Sequence, residues 1–166
     1  MSPLMIVKFP ADVLTQPTRA VEKFDSSLRT LAENLVQVMI QAPGIGVAAN
    51  QVGIDLSVAV IGIPSHDRPL VLVNPRILKA STPIQVDEEG CLSLPGYWGR
   101  PMRSERVRLE FHDVEGKSRR LDASGYLAQV IQHETDHLSG VVYEQRLPDG
   151  ESLNVIESQS ASGDSG

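Results

Sequence analysis

One cysteine is all the chain carries, so no disulfide can form within it, and an unpaired thiol suits a reducing compartment. Long apolar runs are missing too. The longest, Leu56 to Ile63, is interrupted by Ser57 and stopped by Pro64, well short of the about 18 residues a membrane span needs. The opening MSPLMIVKFP has neither a basic n-region nor a small-residue cleavage site, and lacks the Arg- and Ser-rich character of a transit sequence. Basic residues are outnumbered, 15 Lys plus Arg against 21 Asp plus Glu, for a net charge of −6. That balance argues against a sequence-independent grip on nucleic acid phosphates. There is no internal repeat and no long linker. The absences leave a soluble, cytoplasmic protein with no membrane and no nucleic-acid partner, a monomer by default.

What is present suits one domain. At 166 residues, 41% of them hydrophobic, the chain can bury roughly two-thirds of its unfolded surface. Residues 25 to 40 carry Leu28, Leu31, Leu35, Val38 and Met39 at helical spacing, with Asp25 or Ser26 to cap the start and Pro43-Gly44 to end it. Short Val- and Ile-rich runs at 57–63, 70–73 and 84–86 read as strands bounded by turn residues. Val107, Leu109 and Phe111 alternate with charged residues over 106–111, the pattern of a half-buried antiparallel strand. Asp113 to Gly116 makes a turn into a partner strand at 117–121. A second helix opens at Ser124 and runs to Leu138, where Gly140 stops it. Beyond Leu147 the composition turns Ser-, Gly- and acid-rich. The expectation is an α+β domain over 1–150, with mostly antiparallel strands around the second helix, and a polar tail at 151–166 whose last ten or so residues are disordered.

The second helix carries Gln132-His133-Glu134-Thr135-Asp136-His137. Histidines four apart share one helix face, so both imidazoles can reach one cation, while Glu134 is placed to handle a metal-bound water. The motif marks a metallohydrolase without saying which. A catalytic site also needs a third protein ligand. Cys91, His66, His112 and the acidic residues are candidates. His66, in a polar loop, and His112, at a strand end, read as ordinary solvated histidines. Cys91 alone would read as a small buried hydrophobe. Gly90 beside it permits close approach, and the Leu-x-Leu that follows could hold the segment as a strand beside the helix.

Three segments together resemble the peptide deformylase family: Gly44-Ile45-Gly46-Val47-Ala48-Ala49-Asn50-Gln51, Glu89-Gly90-Cys91-Leu92-Ser93 and Gln132-His133-Glu134-Thr135-Asp136-His137-Leu138. They occur in the family's order, and similarity extends from about Ile6 through Arg146. The resemblance implies one divalent metal held by Cys91, His133 and His137, usually Fe2+, with Zn2+, Ni2+ or Co2+ able to replace it. It implies hydrolysis of the N-formyl group from the initiator methionine of nascent polypeptides, releasing formate. In that scheme metal-bound water attacks the formyl carbon, Glu134 is general base and then acid, and the Gln51 amide and Leu92 N–H stabilise the oxyanion.

The same resemblance places Gly44, Ile45 and Gly46 along an extended peptide substrate. Ile45, Leu92, Tyr126 and Val130 become walls of a methionine pocket, and Val47, Ala48 and Ala49 packing residues. Glu89 becomes a carboxylate supporting the ligands or facing substrate, with Arg103 as its ion-pair partner. Two departures stand out. Family members often carry arginine near Trp98, where Tyr97 and Trp98 could instead cover the groove. Many bacterial members end in a basic helix for ribosome docking; this chain ends in an acidic, Ser- and Gly-rich stretch, so that docking mode is unsupported. From the residues alone, a zinc endopeptidase and a non-enzymatic peptide-binding module remain as alternatives.

Overall fold

The structure, a computed structural model, describes residues 4–63 and 67–156. His66 and the tail from 157 onward lie outside them.

Helix α1 spans Ser26–Gln41. Asp25 caps it, its carboxylate accepting the Leu28 N–H, and the helix closes where Gly44 N–H bonds the Met39 carbonyl ahead of the sheet. Its apolar stripe of Leu28, Leu35, Val38 and Met39 is buried. Each such side chain removed from water contributes about 1.5–3 kcal/mol, so this stripe, more than helix propensity, decides where α1 rests.

It rests on an antiparallel sheet. Strands β1 (Gly46–Ala48), β2 (Val58–Ile61), β3 (Leu70–Ala80), β7 (Arg106–His112) and β8 (Ser118–Ser124) line up in the order β1-β2-β3-β7-β8. Strand β2 is buried along its whole length because it is covered on both faces. Val58 and Val60 pack toward α1. Ala59 and Ile61, pointing the other way, join the cores on the side of helix α2 (Gly125–Leu138). That second core gathers Leu72, Val107, Leu109, Phe111, Ala128 and Ile131, which explains the strict alternation along β7. Helix α2 ends two residues before Gly140, whose φ of +78° favours glycine. A Cβ there would lie 2.7 Å from the Gln16 backbone.

The two helices and the β7–turn–β8 hairpin stand close to where the sequence places them. Strand β3 departs from expectation: it runs to Ala80, not Val73. Asn74 adopts φ +52° and the register with β7 shifts between Val73 and Arg76, so Asn74-Pro75 makes a bulge within the strand rather than an end. The Asn74 side chain secures that bulge by bonding the Val21 N–H and carbonyl at 2.8 and 3.0 Å.

Two small ladders complete the fold. Strand β4 (Pro83–Gln85) pairs with β6 (Met102–Ser104), and β5 (Tyr97–Trp98) pairs with β9 (Asn154–Val155). Strand β9 falls in the first part of the polar stretch at 151–166, where the sequence offered no strand; Asn154 and Val155 pair with β5. The Leu-x-Leu after Cys91 forms no strand. Residues 91–94 make a turn, closed by the Leu94 N–H to the Cys91 carbonyl at 3.0 Å, because Pro95 and Gly96 bend the chain back toward β5.

Candidate metal centre

Helix α2 presents His133 and His137 on one face, one turn apart, with Nε2 atoms 3.2 Å from each other. The turn at 91–94 brings the Cys91 Sγ to 3.2 Å from the His137 Nε2. Among the described residues this is the one cluster of Cys, His or acidic groups whose donor atoms converge, all within 4.8 Å of one another. Separations of this size suit three donors sharing one cation through bonds of about 2.0–2.3 Å. His137 is 1% exposed and His133 9%, and Cys91, His133 and Glu134 line a cleft of about 620 Å³. His112 lies elsewhere, against Phe24.

The ligands are held from behind. The Glu89 Oε1 stands 2.5 Å from the His133 Nδ1, which leaves Nε2 free to face the centre. Arg103, 2% exposed, grips Glu89 through Nη2 at 2.6 Å and Nε at 3.2 Å. Its Nη1 donates to the Asp136 Oδ2 at 2.6 Å, and Arg146 pairs with both Asp136 oxygens at 2.8 and 2.9 Å. Gln129 adds a bond to Glu89 at 3.0 Å. At His137 it is the backbone that is held: Asn50 Nδ2 donates to the His137 carbonyl at 2.6 Å, tying the last turn of α2 to the turn after β1.

Charge follows this wiring. Burial would raise the Glu89 carboxyl, but the hydrogen bonds and charges of His133 and Arg103 outweigh it and hold it down at about 2. Glu134 is pushed up to about 7, chiefly by burial and further by the nearby Glu89 charge. His137 is lowered by burial and by the His133 and Arg103 charges, which favours the neutral imidazole that ligation requires. At His133 burial opposes the charged form, but bonds to Cys91 and Glu89 raise it; a cation there would displace a proton.

Glu134 is 3% exposed and its Oε1, fully buried, has no hydrogen-bond partner among the described residues. An unpaired buried carboxylate oxygen is costly. Its presence beside three converging donors fits a site built around a cation and its water. Gln51, 1% exposed, is oriented by the Ala48 N–H, which donates to its Oε1 at 2.9 Å. That turns its Nε2 toward the centre, 3.2 Å from the Ser93 Oγ and 3.8 Å from the Cys91 Sγ.

The remaining expected residues gather here as well. Gly44, Ile45, Gly46, Glu89, Leu92, Tyr126 and Val130 all line the cleft. Tyr97 lines it too, whereas Trp98 does not. Val47, Ala48 and Ala49 are fully buried packing. Sequence reasoning did not find Ser93, Gln129, Asn50, or the Arg103–Asp136–Arg146 chain. Asp136, inside the helix motif, was the one signal available: it sits one residue before a ligand and faces away from the centre.

A Cys-His-His centre on a helix carrying His-Glu-x-x-His, with a buried unpaired glutamate alongside, defines a metal-dependent hydrolase. The polypeptide deformylase family model matches residues 3–152, and the chain belongs to that family. The peptide deformylase of Prochlorococcus marinus subsp. pastoris (strain MED4) is 42% identical over 154 residues, covering 91% of this chain and 77% of that one. The peptide deformylase of Borreliella burgdorferi is 40% identical, covering 86% and 88%. Among solved structures, the Synechococcus elongatus peptide deformylase in complex with actinonin superposes with a TM-score of 0.85 at 39% identity, covering 89% of this chain and 82% of that one.

Proposed function

We propose that this chain removes the N-formyl group from the initiator methionine of nascent polypeptides, releasing formate. The observation that carries the reading is the convergence of Cys91, His133 and His137 beside the unpaired Glu134 carboxylate, with the Gln51 amide turned to the same point.

Cys91, His133 and His137 would hold one divalent cation per chain, Fe2+ in the cell, with Zn2+, Ni2+ and Co2+ also suited to one thiolate and two imidazoles. When bound, such an ion makes its water a nucleophile near neutral pH and polarises the substrate carbonyl. Glu134 takes a proton on Oε1 as attack begins and returns it to the departing amine nitrogen. The Gln51 Nε2–H and the Leu92 N–H donate to the oxyanion that develops on the formyl oxygen. Because Ala48 fixes the Gln51 amide in advance, that donor need not reorganise during the reaction. Glu89 and Arg103 keep the His133 ring in place.

The backbone at Gly44–Gly46 pairs with the extended substrate, while Ile45, Tyr126 and Val130 enclose the methionine side chain. Residues 1–150 form the catalytic domain, acting as a monomer on nascent chains at the ribosome in the cytoplasm. No helix among the described residues is long and apolar enough to cross a membrane.

Formate release from formyl-Met-Ala-Ser, beside an assay for cleavage of internal bonds in an unblocked peptide, tests the reading. Formate without internal cleavage is the expected result. Internal cleavage without formate would favour an endopeptidase.

A further inference from the structure

The chain after Leu147 does more than trail from the domain. Five of the six residues from 151 to 156 are fastened to the segment between Gln85 and Gly99, which includes Cys91. Glu151 accepts from the Gln85 Nε2 at 3.0 and 3.2 Å. Leu153 and Leu147 pack over Gly99, where a Cβ would stand 3.0 Å from each. Asn154 and Val155 pair with Trp98 and Tyr97. The Ile156 N–H then bonds the Gly96 carbonyl at 2.9 Å. On its other edge the same loop bridges to Glu89, with Glu89 N–H to Gly99 carbonyl at 2.8 Å and the reverse bond at 3.1 Å. A band of backbone hydrogen bonds thus runs from β9 through β5 to the main chain of Glu89, the residue whose carboxylate stands behind His133.

The end of this band enters the cleft. Ile156 lines the cavity with Gly96 and Tyr97, yet 51% of it remains exposed. A half-exposed isoleucine held by its own backbone at a cleft wall is apolar surface offered to a ligand. This wall comes from different elements than Tyr126 and Val130 of α2, which also line the cleft.

Resting on the deformylase reading, we propose that β9 is a fixed wall of the substrate cleft and that Ile156 sets a preference for an apolar side chain immediately after the formylated methionine. Glu151, Ser152 and Asn154 are polar and exposed, whereas Ile156 is the residue of the segment that lines the cleft. Tyr97, across from Val155 on the ladder, provides the neighbouring surface.

The test compares formyl-Met-Leu-Ser with formyl-Met-Ser-Ser in the full chain and in the Ile156→Ala and Ile156→Asp variants. The wild-type protein should show the lower KM for the leucine peptide. Ile156→Ala should raise that KM about three- to tenfold, the scale of losing part of an aliphatic contact. Ile156→Asp should raise it further, with kcat and the KM for the serine peptide little changed in both. Trp98, the single tryptophan, pairs with Asn154 and reports whether β9 is in place. Its emission should be unaltered in both variants and shift to the red in a chain ended at Leu153. Equal KM values for the two peptides in every protein, with Trp98 emission unaltered, would overturn the proposal. Should the wild-type protein release no formate at all, the deformylase reading fails by itself. Calorimetric binding of Met-Leu-Ser against Met-Ser-Ser then decides the wall: a leucine preference lost in Ile156→Ala upholds it, and no preference overturns it.

Discussion

A Cβ built on Gly46 would lie 2.8 Å from the Glu134 Oε2 and 3.1 Å from its carboxyl carbon. The edge strand therefore runs against the buried carboxylate so tightly that only glycine fits, and the strand helps to hold Glu134 in its place. Gly46→Ala should push the carboxylate aside by part of an ångström. A misplacement of about 1 Å costs about a hundredfold in turnover, so this smaller shift should cost about tenfold. Kinetics with metal analysis should find kcat reduced and metal content unchanged; normal kcat would mean that Glu134 tolerates displacement.

Glu134→Ala removes the proton carrier and leaves all three donors intact. The variant should bind its cation in full and lose nearly all turnover. Near-normal formate release would remove Glu134 from the reaction.

Gln51→Ala should lower kcat by about 10²- to 10³-fold, the usual cost of one oxyanion donor. The Ala48 N–H would also lose its acceptor, so a denaturation curve should accompany the rates. A change confined to KM would place Gln51 in substrate binding alone.

Arg103→Ala would take from the Glu89 carboxylate its guanidinium partner, leaving His133 and Gln129, and free Asp136 from one of its two partners, all within a site where Arg103 is 2% exposed. Breaking a buried pair in this way costs about 3–5 kcal/mol. Loosening the group behind His133 should weaken metal affinity about 10- to 100-fold. Urea unfolding and competition with a chelator measure the two effects separately; unchanged affinity would confine Arg103 to a structural role.

Much of this site was legible in the sequence because it lies in short segments with strong local rules. The His133–His137 spacing declares itself on any helix, and the apolar positions of α2 make the helix. Glu89, Cys91 and Gln51 stood out through the segments that carry them. Partnerships set by tertiary folding were harder to read. The resemblance named Arg103 as the partner of Glu89, and the two do pair; its second partner, Asp136, lies 33 residues away, and nothing local in a basic residue after Pro101-Met102 names it. Strand β9 escaped because two residues in a polar stretch give no periodicity; β5 confers the extended form by pairing. Strand β3 was cut short for the opposite reason, since Asn74-Pro75 carries a strong turn signal that a bulge satisfies within a longer strand. At Cys91 the candidate ligand was legible but its setting was not. The Leu-x-Leu alternation suggested a strand, and the Pro95-Gly96 that follows imposes a turn instead.

The central claim is that Cys91 completes a metal centre that performs the deformylation. The most direct measurement pairs metal content with formate release from formyl-Met-Ala-Ser, in the wild-type protein and in Cys91→Ala, both purified without air. The account predicts about one divalent cation per wild-type chain with rapid release, and loss of both in the variant. A Cys91→Ala protein that keeps its metal and its turnover would contradict it.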